Sequence, residues 1–508
     1  MGYSSECVEW DFSEVQIHDS GYLSPSGQGC GSFCPIYGER GILSGSFLRR
    51  RLRSGSAWAF GGRIGGAMFG IVTNALVMRM LPTDQDRNAY VLALSIVSLG
   101  AVVGSLGLPK TMVRLIAENM GVDRPDRTRR VIRTVLGLGV LGTLGISFAY
   151  LLIGDFVGNL LNSAVLVALT GLIAGWIAIA VVQEITAEAF RGFHDIRLAT
   201  LLGGLATGGK SGGLIMRVLL LGILVLLWLR SGQTSLATVM LVCIGSGSVS
   251  VVLSLWLLYG KVSSLDPSTG TQGQDEEPVS AKEVLDDAIP FLVIALTSFV
   301  LLSADVWILG FFDEDVAVYG MASRLVTFVA MPLLVVNLVL PPIVAEMYVR
   351  GQRGRLERTL RTFSTLAGFP SLLILIVFML LGGPILGLVY GERLFPSGSL
   401  AIHQGAIVLV VLSAAKLTAV WSGSCGLVLQ FTGHQSSMLR VSLLTSPLFF
   451  VIAIFATQRY GAVGVACAAA ATTALQNVIM VLLAKKKTGM WTQVMFSLAP
   501  FRKVLSRW

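Results

Sequence analysis

Residues 363–389 read Phe-Ser-Thr-Leu-Ala-Gly-Phe-Pro-Ser-Leu-Leu-Ile-Leu-Ile-Val-Phe-Met-Leu-Leu-Gly-Gly-Pro-Ile-Leu-Gly-Leu-Val, a run without a single charge. A helix rises about 1.5 Å per residue, so roughly 20 such residues cross a hydrocarbon core ~30 Å thick. Backbone groups in lipid must be satisfied within the segment, so this run is expected to be a spanning helix. Working outward, eleven further apolar runs follow the same rule. In the first half they lie near 56–80, 89–108, 134–153, 164–183, 211–229 and 236–259. In the second half the remaining ones lie near 288–312, 317–340, 401–421, 441–457 and 461–484.

The whole chain agrees with its most apolar stretch. Of 508 residues, 54% are hydrophobic and only 13% charged, with a mean hydropathy of +0.75. Soluble domains carry about 25% charged residues. The composition therefore excludes a soluble enzyme, a disordered regulator and a disulfide-rich secreted domain. The expectation is an all-α membrane protein of about 12 transmembrane helices. Residues 1–50 form a polar Gly- and Ser-rich leader expected to be disordered. Bundles of six helices follow at 54–260 and 288–485, joined by a polar linker at 261–287, and residues 486–508 form a short tail.

The net charge of +9 does not point to nucleic acid. Its basic residues sit in short connections between apolar runs, where positive charge sets topology. One set of connections carries Arg49 to Arg53, Lys110 to Arg133, Arg350 to Arg361 and Lys485 to Lys487; the other carries few cations, holding Asp84, Asp86 and Arg87, Asp155, Arg230, Asp313-Glu314-Asp315, Glu392-Arg393 and Arg459. The basic side is expected to be cytoplasmic, with both termini on it. The halves also echo one another. Asp84 and Tyr90 share a six-residue spacing with Asp313 and Tyr319, and Arg127, Arg130 and Arg133 recur as Arg355, Arg358 and Arg361. Two like-oriented six-span repeats related by an axis along the membrane normal enclose a cavity between them.

Charge inside a span costs roughly 2.5–3.5 kcal/mol on insertion scales, so each such residue needs a reason. The candidates are Arg63, Lys210, Arg217, Arg324, Lys416 and a single acid, Asp305. Five of the six are cationic. Guanidinium forks suit phosphate oxygens, so the set is expected to line an anion-binding cavity, with Asp305 as the candidate for coupling to an ion. The fourth span is expected to end at 183, leaving Glu184 and Glu188 at or beyond its inner end. No deep carboxylate is then left in the first half.

Other motifs carry less. Gly204 to Ser211 matches the phosphate-loop pattern, but that chemistry needs a strand, a soluble helix and a surrounding sheet. Histidines 18, 194, 403 and 434 are scattered, and Cys30 and Cys34 have no partner pair, so neither a metal site nor a cofactor nor a catalytic set is expected.

Specific stretches then resemble a known family. Gly55-Ser-Ala-Trp58 with Gly61-Gly-Arg63 is similar to the first helix of polysaccharide flippases in the multidrug/oligosaccharidyl-lipid/polysaccharide exporter superfamily. Ser303-Ala-Asp305 through Gly310, Val318-Tyr319 through Arg324-Leu325, and Pro341-Pro342 with Glu346 and Tyr348 resemble its seventh and eighth helices. The resemblance implies a V-shaped pair of six-helix bundles that moves polyprenyl-(pyro)phosphate-linked oligosaccharide between leaflets of the cell membrane. It implies partners among membrane lipids and, transiently, polysaccharide polymerases or glycosyltransferases. By that likeness Arg63 and Arg217 face the cavity and Asp305 faces the cleft. The rival class is an ion-coupled multidrug antiporter of the same superfamily.

Overall fold

A computed structural model of the chain describes residues 61, 65–121, 124–193, 195–203, 213–265, 280–312, 314–349, 351–392, 394–396, 398–432 and 434–495. All regular structure among them is helical. The first half holds α1 (65–80), α2 (Asp84–Gly104), α3 (Leu108–Gly121), α4 (Pro125–Leu160) and α5 (Ala164–Ala168). It continues with α6 (Thr170–Gly192), α7 (Ile196–Leu202), α8 (Leu214–Ser231) and α9 (Leu236–Ser263). The second half holds α10 (Ala281–Phe311), α11 (Val316–Leu325), α12 (Thr327–Val349), α13 (Arg353–Tyr390), α14 (Leu400–Ser422), α15 (Cys425–Phe431) and α16 (Gln435–Thr488).

Among the described residues, eight helices are long and apolar enough to cross a membrane, or nine with the bent pair α11–α12 taken as one span. One of the eight is two. At Gly461 the backbone leaves the helical region (φ 54°, ψ −136°). A Cβ on Gly464 would lie 2.3 Å from the Ala456 carbonyl oxygen, eight residues back and roughly 12 Å away along an unbroken helix. Gln476 donates to Ser442 at 3.0 Å. The chain folds back near residue 460, and α16 is an antiparallel pair, as the separate runs 441–457 and 461–484 anticipate.

Polar residues just before each helix fix its start. Thr83, Ser163, Ser235, Ser280 and Ser399 each accept a backbone N–H from the first turn, which satisfies a donor the helix cannot. Large apolar side chains such as Leu152, Phe156, Leu380, Leu388, Leu444 and Phe455 stand more than half exposed. Such a belt is far more than a soluble monomer shows to water and is the surface lipid covers. The protein is a multi-pass membrane protein.

Two ends follow from the charges. The connections of the basic end carry the arginine clusters; those of the opposite, lean end include 81–83, 161–163, 232–235, 312–315 and 391–399. Heavy packing stays within each half: α4 and α9 on α6 in the first, α14 on α13 and α16 in the second. Between halves, α10 lies on α2, α3 and α4, and α11 on α2.

Segment boundaries differ from expectation in three places. Helix α10 begins at Ala281, capped by Ser280, so the end of the segment taken as linker is helical. Residues 492–495 dock on the second half. Thr492 donates to the Ser422 carbonyl (2.8 Å) and accepts from Ser364 through its own carbonyl (2.9 Å). Helix α6 runs to Gly192, which places Glu184 and Glu188 inside its body, both buried. Residues 1–50 and the phosphate-loop look-alike at 204–211 lie outside the described residues, as does His194.

Candidate functional site

Arg217 sits in the first turn of α8. The helix starts after Gly213, whose left-handed backbone (φ 64°, ψ 42°) is readily adopted only without a side chain and whose missing side chain leaves no local cap. The positive end of a helix macrodipole therefore meets a guanidinium, the wrong sign for stability and the right one for an anion. Arg217 is 4% exposed, and its Nε has no hydrogen-bond partner. One Nη lies against Gly70 of α1. The charge acting on it is another cation, Arg324.

Arg324 ends α11, where the path bends by 41° into α12. Its charge also acts on Tyr90 of α2 and Tyr390 of α13, so it stands between the halves. Tyr390 is fully buried, and its hydroxyl has no partner. Counting back from the lean end of α11, Arg324 is roughly 12–14 Å down at ~1.5 Å per residue, near the membrane centre. Two cations thus act on one another at depth, with no acid paired to either among the described residues.

The acid lies in a separate group. Asp305 of α10 accepts a hydrogen bond from Tyr319 of α11 (2.7 Å) and one from the backbone N–H of Val306 (2.9 Å). Lys416 of α14 is close enough for its charge to act on Asp305. Lys416 is itself exposed although protein surrounds it on most sides. The five cations expected in one lining therefore divide: Arg217 and Arg324 are brought together, whereas Lys416 offsets Asp305. Arg63 and Lys210 lie outside the described residues.

At the lean end hydrogen bonds join the halves beside an open pocket of about 880 Å³ lined by Arg79, Trp228, Gln233, Tyr390 and Glu392. Arg79 of α1 donates to the carbonyls of Leu388 and Val389 at the end of α13. Asn88 of α2 accepts the Ala317 N–H at 2.8 Å. Asn162 donates to the Phe311 carbonyl at 3.1 Å. Trp307 donates to Ser95 at 2.5 Å, further along the same seam. Asp315 bonds Asn88 from the other half. Burial, then the nearby Asp84 carboxylate, hold the Asp315 carboxyl above the usual carboxylate range, which the Asn88 hydrogen bond only partly offsets. An apolar cleft of about 390 Å³ opens beside this seam, lined by Leu99, Phe299, Val300, Trp307, Phe450 and Ile454.

At the basic end Arg114 pairs with Asp287, and Arg127 with Glu283 at 3.7 Å. Asp195, capping α7, is bonded by Lys261 at 2.7 Å. Burial raises its carboxyl, but that ion pair and the Leu198 N–H outweigh it and leave Asp195 below the usual range.

The profile of the polysaccharide biosynthesis protein family matches residues 52–347, more than half of the sequence. The chain belongs to that family. No curated protein matches it significantly. Among solved structures, the inward-facing form of a multidrug resistance MATE transporter of the MOP superfamily superposes with a TM-score of 0.67. The identity is 15%, over 84% of this chain and 94% of that one. A MOP-superfamily transporter from Pyrococcus furiosus gives 0.59 at 14% identity, over 87% and 96%. The lipid II flippase MurJ in an inward closed form gives 0.63 at 14% identity, over 89% of each chain. At such identity the likeness fixes the fold: this family member has the fold of MOP-superfamily transporters.

Proposed function

We propose that the chain moves polyprenyl-(pyro)phosphate-linked oligosaccharide from the inner to the outer leaflet of the cell membrane by alternating access, making no covalent change. The basic end is cytoplasmic and holds both termini, as the distribution of arginine requires. The observation that carries this reading is the Arg217–Arg324 pair: two cations at depth, one at a helix N-terminus, with no acid paired to them among the described residues. A diphosphate supplies the missing charge, and guanidinium donors replace the water stripped from its oxygens. Arg63 and Lys210, outside the described residues, belong to the same proposed set of phosphate-binding cations. The apolar cleft beside α10 gives the polyprenyl tail a surface while the sugar stays in the polar space between halves. The bonds across the lean end then close the outer exit while the cargo loads, and breaking them releases it. Asp305, offset by Lys416, is the group through which an ion gradient couples to that change. Polymerases or glycosyltransferases that consume the flipped lipid are its transient partners.

The test is export in cells carrying Arg217→Ala or Arg324→Ala. Both proteins are expected to reach the membrane and to leave unpolymerised lipid-linked oligosaccharide in the inner leaflet. Full export by both refutes the assignment, and resistance to cationic drugs in its place supports the rival antiporter.

A further inference from the structure

A second charged group lies within the first half, away from the Arg217–Arg324 pair and independent of the function proposed for it. Glu184 and Glu188 stand one turn apart on α6, so their carboxyls share a face with about 5–6 Å between Cβ atoms. Glu184 is 9% exposed and Glu188 4%. One oxygen of each, Oε2, has no hydrogen-bond partner. Glu188 has counter-charges, Arg191 on its own helix and Lys110 of α3 at 3.9 Å. Glu184 makes no ion pair among the described residues.

Every charge that acts on Glu184 comes from this small set. Glu188 and Arg191 lie on its own helix and Lys110 on α3; α2, α4, α7 and α9 also pack on α6 and bring none among the described residues. A buried carboxylate without a partner is costly, and two carboxylates on one face repel. A metal ion does not answer the need. No group of three acidic, thiol or imidazole ligands exists among the described residues, and two cationic side chains already stand at the pair. A proton fits.

We propose that Glu184 and Glu188 form a proton-binding site in which Glu184 carries the proton, taken from bulk water, and Glu188 stays ionised between Arg191 and Lys110. The site is placed to act on the seam between halves. Lys110 belongs to α3, and Gly107, just before that helix, touches α10 so closely that a Cβ on it would lie 2.2 Å from the Ala288 carbonyl oxygen. Arg114, one turn on, pairs with Asp287. Protonating Glu184 removes one negative charge from the face that holds Lys110, and so loosens the hold of α6 on the helix that docks α10.

The experiment is infrared difference spectroscopy of the full-length protein in phospholipid vesicles, titrated from acid to alkaline pH. A protonated-carboxyl band that titrates in the wild type is expected to vanish in Glu184→Gln and to persist in Asp305→Asn. Lys110→Met should move its midpoint to higher pH, because a cation that favours the ionised form is gone. Absence of the band in the wild type, its survival in Glu184→Gln, or an unmoved midpoint in Lys110→Met overturns the proposal. If Glu184→Gln does not fold, Glu184→Asp replaces it: the band must change frequency there, and an unchanged band counts against the site.

Discussion

The two halves of the molecule solve one packing problem with different chemistry. In the first, Tyr90 at the start of α2 donates to Asn74 of α1 at 3.1 Å. In the second, Tyr319 at the start of α11 donates to Asp305 of α10 at 2.7 Å. Each tyrosine is buried and ties the second span of its half to the first. Asparagine satisfies the hydroxyl without charge; aspartate does so and adds a carboxylate, which Lys416 offsets. Two further cations face one another across the interface, Arg217 from the first half and Arg324 from the second. A repeated scaffold with one charge state per half teaches that the charges belong to function, since the neutral version already packs.

The largest effect is expected from removing the uncompensated cation. Arg217→Met keeps much of the apolar stem while deleting the guanidinium. Export should fall at least tenfold, which corresponds to about 1.4 kcal/mol of lost interaction. Thermal stability in detergent should hold or rise, because no acid loses a partner and an unpartnered buried donor is gone. A variant that loses export and stability together would show that Arg217 packs rather than binds.

Making the second half resemble the first comes next. Asp305→Asn preserves an acceptor for Tyr319 but removes the carboxylate charge that acts on the exposed Lys416, so the stability cost is expected to be about 1 kcal/mol or less. Export should persist at a reduced rate and lose its response to an imposed ion gradient, measured in proteoliposomes. Adding Lys416→Met should restore stability without restoring the response. If the single variant still responds fully to the gradient, Asp305 is a structural acid.

The converse swap is gentler. Asn74→Asp gives the first half its own carboxylate near Arg324, whose charge already reaches Tyr90. A new negative charge in an anion-binding space weakens phosphate binding, so the expected outcome is a several-fold higher half-saturating substrate concentration with maximal rate unchanged. A loss confined to maximal rate would instead place Arg324 outside the binding step.

Much of this contrast was legible in the residues themselves. Apolar run length located the spans because lipid leaves the backbone no alternative to helix, and burial cost flagged Arg217, Arg324 and Asp305 one by one. Pairing was not legible. The spacing echo from Asp84 to Tyr90 and from Asp313 to Tyr319 drew notice to the tyrosines, yet their partners are Asn74 and Asp305, reached across helices rather than along the chain. Lys416 read as one more cation because only tertiary packing sets it beside an acid. Glu184 and Glu188 were missed for a local reason. Hydropathy falls after residue 183 at Gln183-Glu184, but the helix continues through Ile185, Ala187, Ala189 and Phe190, all buried. Two acids four apart amid small and apolar residues were the available signal.

The smallest expected effect lies at the lean-end seal, where the halves meet through Asp315, Asn88 and Ala317. Because the Asp315 carboxyl is held above its ordinary range by burial and by Asp84, the sealed form binds a proton more readily than an open, solvated one. The sign follows from linkage: the seal is strongest at acid pH, where Asp315 is protonated, and weakens as pH rises through the raised titration of that carboxyl. Cysteine cross-linking between the start of α2 and the start of α11 should therefore be fastest at low pH after correction for thiolate reactivity. Asp315→Asn should flatten the profile at its acid plateau, since the amide imitates the neutral acid and still reaches Asn88. Asp84→Asn removes the repulsion along with the charge paired to Arg87, while leaving Asp315 free to titrate, so it should keep the pH dependence and shift it toward lower pH. A wild-type profile that rises with pH would reverse the assignment, leaving the opposite half of the seam, Arg79 on the Leu388 and Val389 carbonyls, as the part that holds the exit closed at all pH values.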